Sequence, residues 1–539
     1  MLCRAIKRFL DDDRGYVIPL TLGSMPLLLF FALFVIDVGR AGNLHTDLQN
    51  AVDAMALAGA RELDGRDDAI DRANAAIMKL ANSAAFKGGG DGWSLGSRPV
   101  MVTYDPTKQN DPNSTNTVKV FYLRNIPADD DNRIDLSNPA YYPAGPNDAS
   151  YAYVVARPQV MKTIFPLPVS RASAEINVSA EAVAVYRASA CDVTPIYICN
   201  PYENASGTNN DEATDLLHTN FAAGDLYGVQ IELHSTSSSS PGPGNFGFLS
   251  TYGNGANVLA EALATGSPGV CYKQEALETK TGANAGPVEA GLNTRFGLYG
   301  GSFKSTSSDG RYRPARNVRS AQTQTGGANK ICSDYDPVKV GGAVGDVTKA
   351  VPLGYGASMN SLPGGKISSG NDWQYGTFWN VAHPDRAVPT TDTILSNHSS
   401  YPSPTGSPSQ PSAYDVYRYE LDNSAMLNDP SANGERGTPL LGGQCYGGPD
   451  LSNYSDGDYG DRREIFAAVV NCKHEYNADR LTGHSTDTKA IAFARMFLTK
   501  PAIADSGVRY LSLEMIDITG KGGRGTLDEF LREEAELVR

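Results

Sequence analysis

Residues 17–36, VIPLTLGSMPLLLFFALFVI, run for 20 positions without one charged side chain. At about 1.5 Å rise per residue, a helix of that length covers roughly the 30 Å hydrocarbon core of a bilayer. Pro19 and Pro26 do not disqualify the run, because membrane helices tolerate proline better than soluble ones. A cleaved signal peptide is the competing reading, since a basic segment and an apolar core also make a leader. That reading needs small residues just past the core. Here the core meets Asp37 and Arg40, and a usable small-x-small triplet (Ala56, Leu57, Ala58) arrives only about 20 residues later. An uncleaved anchor is therefore expected over residues 15–38. Arg4, Lys7, Arg8 and Arg14 precede it, whereas Arg40 is the one fixed positive charge in the stretch just after it. The positive-inside rule keeps residues 1–14 in the cytoplasm and sends the remainder across. The expected address is a bacterial inner membrane, crossed once, with the bulk of the chain in the periplasm.

That address changes how the cysteines read. Cys3 lies before the span and is expected to stay reduced. Cys191, Cys199, Cys271, Cys332, Cys445 and Cys472 are an even set on the exported side, where up to three disulfides can form. Six cysteines allow 15 connectivities; neighbour pairing would join 191 with 199, 271 with 332 and 445 with 472. The balance of 46 Lys+Arg against 60 Asp+Glu leaves a net charge of -14. Nucleic acid is excluded as a partner on that ground, because phosphate contacts need Lys and Arg. The 539 residues suggest several domains, 55 Gly and 32 Pro a loop-rich exterior, and 41% hydrophobic residues a packed core.

Beyond the span, Leu44, Leu48, Val52, Met55, Gly59 and Leu63 recur every three or four positions, the stripe of a helix continuing upward from the membrane. Ala51, Ala54, Ala56, Ala58 and Ala60 around it are small enough for close backbone approach. Two readings stay open: the stripe packs on this chain's own fold, or it docks on another protein. Asp64 and Gly65 break the helix. Asp67 can cap a second one through Phe86, which Gly88, Gly89 and Gly90 end. The period then shortens to two over residues 99–104, 117–124, 151–157 and 175–187, as in strands. Further on, residues 227–234, 465–471, 489–498 and 510–518 read as strands and 256–265 as a short helix. Thr526 is expected to cap an acidic final helix through Val538. Loops rich in Ser, Gly and Pro fill residues 235–244, 302–329 and 399–412. The division expected is a tail (1–14), the span (15–38), helices with a small sheet (39–190) and a loop-rich exported region (191–539). The fold class is α+β, with α/β as the alternative.

Chemistry-bearing patterns are few. Gly242, Gly244 and Gly247 match G-x-G-x-x-G, but no helix follows at once, so a structural turn is expected rather than a dinucleotide site. Asp456, Asp458 and Asp461 could offer oxygens to Ca²⁺, yet their spacing lacks the EF-hand pattern, and a solvated turn is the simpler reading. Cys472 and His474 could share a metal, although a disulfide at Cys472 is simpler. The seven histidines are scattered, and no Walker A loop or nucleophile elbow can be written. No catalytic, cofactor or metal residues are assigned.

Residues 37–63 resemble the N-terminal region of the TadE/TadG-like family of the Tad (Flp) pilus-assembly apparatus. The resemblance rests on Pro26, then Asp37, Gly39 and Arg40, then Leu48, Gln49, Ala51, Asp53, Ala54, Ala56, Leu57, Ala58 and Ala60. VVNC at 469–472, FARMFLT at 493–499 and YLSLEMI at 510–516 are also similar to TadG-type proteins. Leu20 stands where processed pilins carry Glu, which favours a retained anchor. The Asp-x-Ser-x-Ser run of von Willebrand A-type metal sites is missing, so that fold is allowed without its metal. The resemblance implies a non-catalytic component of a Tad pilus-assembly or secretion apparatus. Its expected partners are TadE-like, pilin or secretion components, contacted through Leu48, Val52, Met55, Ala58, Gly59 and Leu63. A tethered surface adhesin is the main alternative, and a periplasmic hydrolase of unfamiliar design a more distant one. The topology is checked by fusing a reporter active only in the periplasm: it is active after Arg61 and silent within residues 1–14. An N-terminus recovered at Tyr16 overturns the retained anchor.

Overall fold

The computed structural model describes residues 17–81, 102–162, 175–235, 241–280, 285–315, 318–319, 360–361, 373–396, 411–423, 439–440 and 461–539, apart from one or two positions at a time within these ranges. The chain divides into two compact units, Met1–Tyr186 with Ala535–Arg539, and Arg187–Glu534.

In the first unit one helix, α1 (Val17–Arg61), carries both the apolar run and the stripe, with Pro26 inside it. No break separates the two. Gly65, at φ +79°, and the Asp64 carboxylate, which accepts from the Arg66 N–H at 3.1 Å, turn the chain after it. Helix α2 (Ala69–Ala81) then folds back. Arg72 pins the corner by ion pairs to Glu62, Asp64 and Asp68. Strands β1 (Val118–Leu123), β2 (Tyr151–Ala156) and the first half of β5 (Glu181–Cys191) form an antiparallel sheet. The antiparallel pair of β3 (Gln159–Lys162) and β4 (Glu175–Val178) stands beside it in sequence. Val120, Ala152, Val154, Ala182 and Ala184 turn one sheet face to Leu48, Val52 and Met55 of α1 and Ala73 and Ile77 of α2. Tyr153 and Val183, pointing the other way, pack with Leu123 and Ile134. The alternation along β2 and β5 is thus that of a strand covered on both sides.

The second unit is built on β6 (Ile196–Cys199), β7 (Gln230–Ser235), β8 (Asn245–Phe248), β10 (Glu464–Val470), β11 (Ala492–Leu498), β12 (Ile503–Asp505) and β13 (Val508–Ile518). Neighbours run β7-β8-β6-β10-β11-β13-β12, and β7 also pairs β13, so six strands close a circuit. β6 with β10 and β7 with β8 are parallel, and the other pairs are antiparallel. The fold is therefore α+β. Ile198, Ile231, Phe246, Ala467, Met496 and Leu513 point to one cluster, completed by Leu217 and Phe221 of α3 (Asn210–Ala223), Leu259 and Leu263 of α4 (Ala256–Thr265) and Leu292 of α5 (Ala285–Thr294). On the opposite side Phe497 and Ile516 meet an aromatic cluster from α6 (Tyr375–Ala382) and α8 (Ala413–Asp422), around the short helix α7 (Thr391–Ser396). β10 and β11 are buried along their whole length, which explains why both are apolar apart from Glu464 and Arg495.

Several expectations change. The acidic end is not a helix: β14 (Leu531–Leu537) is a strand running beside β5. LREEAEL consists of good helix formers, but the open edge of β5 needs partners. The Val538 N–H donates to the Val183 carbonyl at 2.8 Å, and the Val183 N–H to the Arg539 carbonyl at 3.0 Å, so tertiary pairing overrides local propensity. The neighbour pairing of cysteines is also overturned. Cys191 is bonded to Cys271, which faces it across β5 and β9 (Cys271–Lys273), and Cys199 to Cys472. The second bridge forms because Cys199 ends β6 opposite Val470, two residues before Cys472 at the start of α9 (Cys472–Asn477). Cys332 and Cys445 lie outside the described residues, as do the tail, the end of the second helix through Phe86 and most of the loop at 399–412. The strand expected over 99–104 does not form in its described part, and that over 175–187 breaks between β4 and β5.

The contact of α1 with α2 gives a direct test. A Cβ on Gly59 would stand 2.7 Å from Ile77 Cδ1 and 3.4 Å from Ala152 Cβ. Gly59→Leu overpacks that contact and is expected to cost about 1–3 kcal/mol, read as a lower melting temperature of the full-length protein in detergent. Unchanged melting would mean that α1 does not pack there.

Candidate functional site

The first half of α1 wears its apolar side chains outward. Leu20, Leu22, Met25, Leu27, Leu28, Leu29, Phe31, Phe34 and Val35 are all exposed, Leu22 to 72%. Exposed apolar residues on every side of one helix suit a lipid rather than an aqueous solvent. The change of environment comes at Asp37, which Arg40 pairs one turn on at 3.0 Å. From Leu48 the same helix turns inward: Leu48, Val52, Met55, Gly59 and Leu63 are buried and Ala58 half-buried. Gln49 spans Asp53 at 2.7 Å and the Glu181 carbonyl at 3.0 Å, tying helix to sheet.

The second unit holds a buried polar centre that has no counterpart among the expected sites. Glu514, in the middle of β13, accepts from the Ala413 N–H at 2.9 Å and the Tyr414 N–H at 2.8 Å, and from Gln230 Nε2. It thereby serves the orphan donors at the start of α8. The Ser412–Asp415 capping box finishes that end, and Tyr227 Oη donates to Asp415 at 2.7 Å. Glu464 accepts from Tyr414 Oη at 2.7 Å and from Arg495 Nε at 2.8 Å. Burial pushes the Glu514 carboxyl up to about 8, against the pull of the two N–H donors and Gln230. Burial and Asp461 also raise Glu464, with Arg495 acting the other way. These carboxylates hold a helix and two strands in register, and their hydrogen bonds face into the packed interior.

Residues 15–62 match the family model described as "Putative Flp pilus-assembly TadE/G-like". Comparison with curated proteins and with solved structures found no match. The TadE/G-like segment coincides with the apolar run and the stripe of α1, and this long helix, apolar enough to cross a membrane, fits a membrane-anchored protein.

The structure treats the expected residues unequally. Leu48, Val52, Met55, Gly59 and Leu63 lie along one line that packs on α2 and the sheet of this chain, and half-buried Ala58 lies beside it. Of the two readings of the stripe, packing on this chain's own fold is the one its buried residues display. The G-x-G-x-x-G run leads into strand β8, not a helix; a Cβ on Gly247 would overlap the Tyr197 ring at 2.3 Å from its Oη, so close packing accounts for that glycine. Cys472 Sγ is spent on Cys199, and the His474 N–H donates to Glu203 Oε1 at 2.6 Å. Asp456 and Asp458 lie outside the described residues, while Asp461 accepts from Tyr417 Oη at 2.9 Å. Glu464, Arg495 and Glu514 were missed, although each interrupts an otherwise apolar strand in the sequence.

Because the Glu514 carboxyl titrates near 8 when folded and near 4.5 when unfolded, the folded state holds the extra proton between those values. Stability should then fall as the pH rises from about 5 to about 8, by up to about 1.4 kcal/mol per pH unit for this one group. Glu514→Gln should start less stable, with one acceptor fewer, and show a flatter profile. Parallel melting-temperature profiles for the two proteins exclude this titration.

Proposed function

We propose that this chain is a membrane-anchored, non-catalytic component of a Tad/Flp-type pilus-assembly or secretion apparatus. It acts by protein–protein contacts on the periplasmic side of a bacterial inner membrane. The observation that carries the reading is the coincidence of the TadE/G-like match at residues 15–62 with a single helix that is lipid-suited below and core-forming above. The family match suggests a pilus-related role in general. The partners proposed are TadE-like, pilin or secretion components. With the inner stripe consumed by self-packing, the surfaces of α1 open to a partner helix are the apolar ridge of the span and the exposed turn holding Gly42, Asn43, His45, Thr46 and Asp47.

A deletion strain complemented in three ways tests this. The intact chain should restore pili, a chain lacking residues 1–40 should not, and a chain whose residues 17–36 are replaced by an unrelated apolar helix should restore them only in part. Pili that form normally in the deletion strain, with loss of surface attachment alone, overturn the assembly reading in favour of a tethered adhesin.

A further inference from the structure

In the first unit two strands continue past the end of their sheet. β1 begins at Val118, which faces Ala156 at the end of β2. Beyond that level, among the described residues, only β3 and β4 go on, as a two-stranded ribbon. The register shifts where it starts: Val155 faces Glu181, but Gln159 faces Val178, so residues 156–158 stand opposite 179–180. A two-stranded ribbon is marginal in water by itself. This one leans on α1, where Ile176 and Val178 join the cluster of Leu44 and Leu48. The alternate residues point the other way. Val160 and Asn177 face each other across the ribbon and are both exposed, Val160 to 56%.

The ribbon runs toward the apolar half of α1. Gln49 Nε2 donates to the Glu181 carbonyl at 3.0 Å. Further along the helix, a Cβ on Gly59 would stand 3.4 Å from the Cβ of Ala152, which faces Ala184. α1 and β5 therefore climb together, and the residues before Glu181 descend. From Glu181 back to Glu175 is about 20 Å of strand. Laid alongside α1, that equals about 13 helical residues, which brings the far end of the ribbon level with the neighbourhood of Asp37. Burial along the helix agrees with this height. Asp37, Arg40, Ala41, Leu44 and Leu48 form one sheltered line, whereas Val38, Gly39, Gly42 and Asn43 are exposed. The folded chain thus covers one side of α1 down to the point where the charge-free run ends.

We propose that the β3–β4 ribbon is a second membrane contact, whose outer face, Val160 and Asn177, rests on the headgroup layer of the bilayer that α1 enters. The proposal rests on the reading of α1 as a membrane anchor. Height and charge favour lipid over a protein partner. In a chain of net charge -14, the sequence joining the two strands, residues 163–174, carries Ile164, Phe165, Leu167 and Val169 with Arg171 and no acidic side chain. Apolar residues edged by basic ones suit the boundary between headgroups and acyl chains. A single helix is free to turn about its own axis in a bilayer. A contact beside it fixes which side of the first unit faces the lipid.

The test uses the full-length protein in nanodiscs whose lipids are brominated near the headgroup end of the acyl chains. Three variants each add one tryptophan at an exposed position: Val160→Trp on the ribbon, Leu29→Trp in the apolar run, and Tyr142→Trp next to Tyr141, whose carbonyl accepts from the Arg124 N–H beyond the opposite end of β1. The last controls for the ring's own affinity for interfaces. The added fluorescence, taken as the difference from the parent, should be quenched at least half as strongly for Val160→Trp as for Leu29→Trp, and hardly at all for Tyr142→Trp. Quenching of Val160→Trp no stronger than that of Tyr142→Trp, with Leu29→Trp quenched, overturns the ribbon contact and leaves the anchor standing. An unquenched Leu29→Trp overturns the anchor, and this proposal with it.

Discussion

The contact that the first unit depends on is the one between α1 and Ile77, where Gly59 lets two helix backbones and the Ala152 face of the sheet approach together. Everything around it follows from filling that space with small and branched side chains. Alanines at 56, 60, 69, 73 and 81 bring the helices close, and alanines at 152, 182 and 184 bring the sheet to both. Such packing gains from area and complementarity rather than from any strong single bond, and it fails locally when one position is enlarged. The corner at Arg72 adds ion pairs, but a partly exposed cluster of this kind contributes less than the buried apolar contact it flanks.

The second unit is organised by a different constraint. Its strands close a circuit with a buried interior, so a charged residue within or beside them must be answered from inside the fold. Glu464 is answered by Arg495 and Tyr414, Glu514 by the amides that open α8, and Arg463 by the carbonyls of Leu498 and Thr499. Each pairing is specific in direction, whereas apolar contacts tolerate sliding. A strand slipped by one residue would turn all of these groups to the wrong face. The buried charges therefore fix how the layers register, a role distinct from adding stability. The Cys199–Cys472 bridge does the same covalently, binding residues 273 apart in sequence at the ends of two adjacent strands.

What the sequence made legible was whatever depends on local pattern. The apolar run, the stripe, the short helix Ala256–Thr265 and the strands of the C-terminal half are all visible because periodicity and composition decide them. The final segment was misread because LREEAEL is a good helix on its own terms, and only the unpaired edge of β5 makes it a strand. Disulfide partners were equally hidden: nothing near Cys199 points to Cys472 until β6 and β10 lie side by side. The link from Arg295 to Arg462 to Arg313, made through backbone carbonyls, could not be read at all, since the three meet only after separate segments have folded. Glu514 and Arg495 were different. A charge inside an apolar strand is a local anomaly, and it announces an internal partner even when the partner cannot be named.

The unbroken course of α1 has a mechanical meaning. At about 1.5 Å per residue its 45 residues form a rod of roughly 67 Å, of which the upper third is wedged into a folded core. Its two prolines, Pro19 in the first turn and Pro26, are both in the apolar part, so no hinge separates that part from the fold. For a membrane-anchored chain, a sideways load on the first unit would be carried down the rod as leverage on the lipid, and a tilt of the rod would swing that unit through an arc. The apolar end and the folded end of one unbroken helix cannot reorient independently, so a bilayer around the first would become part of the molecule's frame of reference.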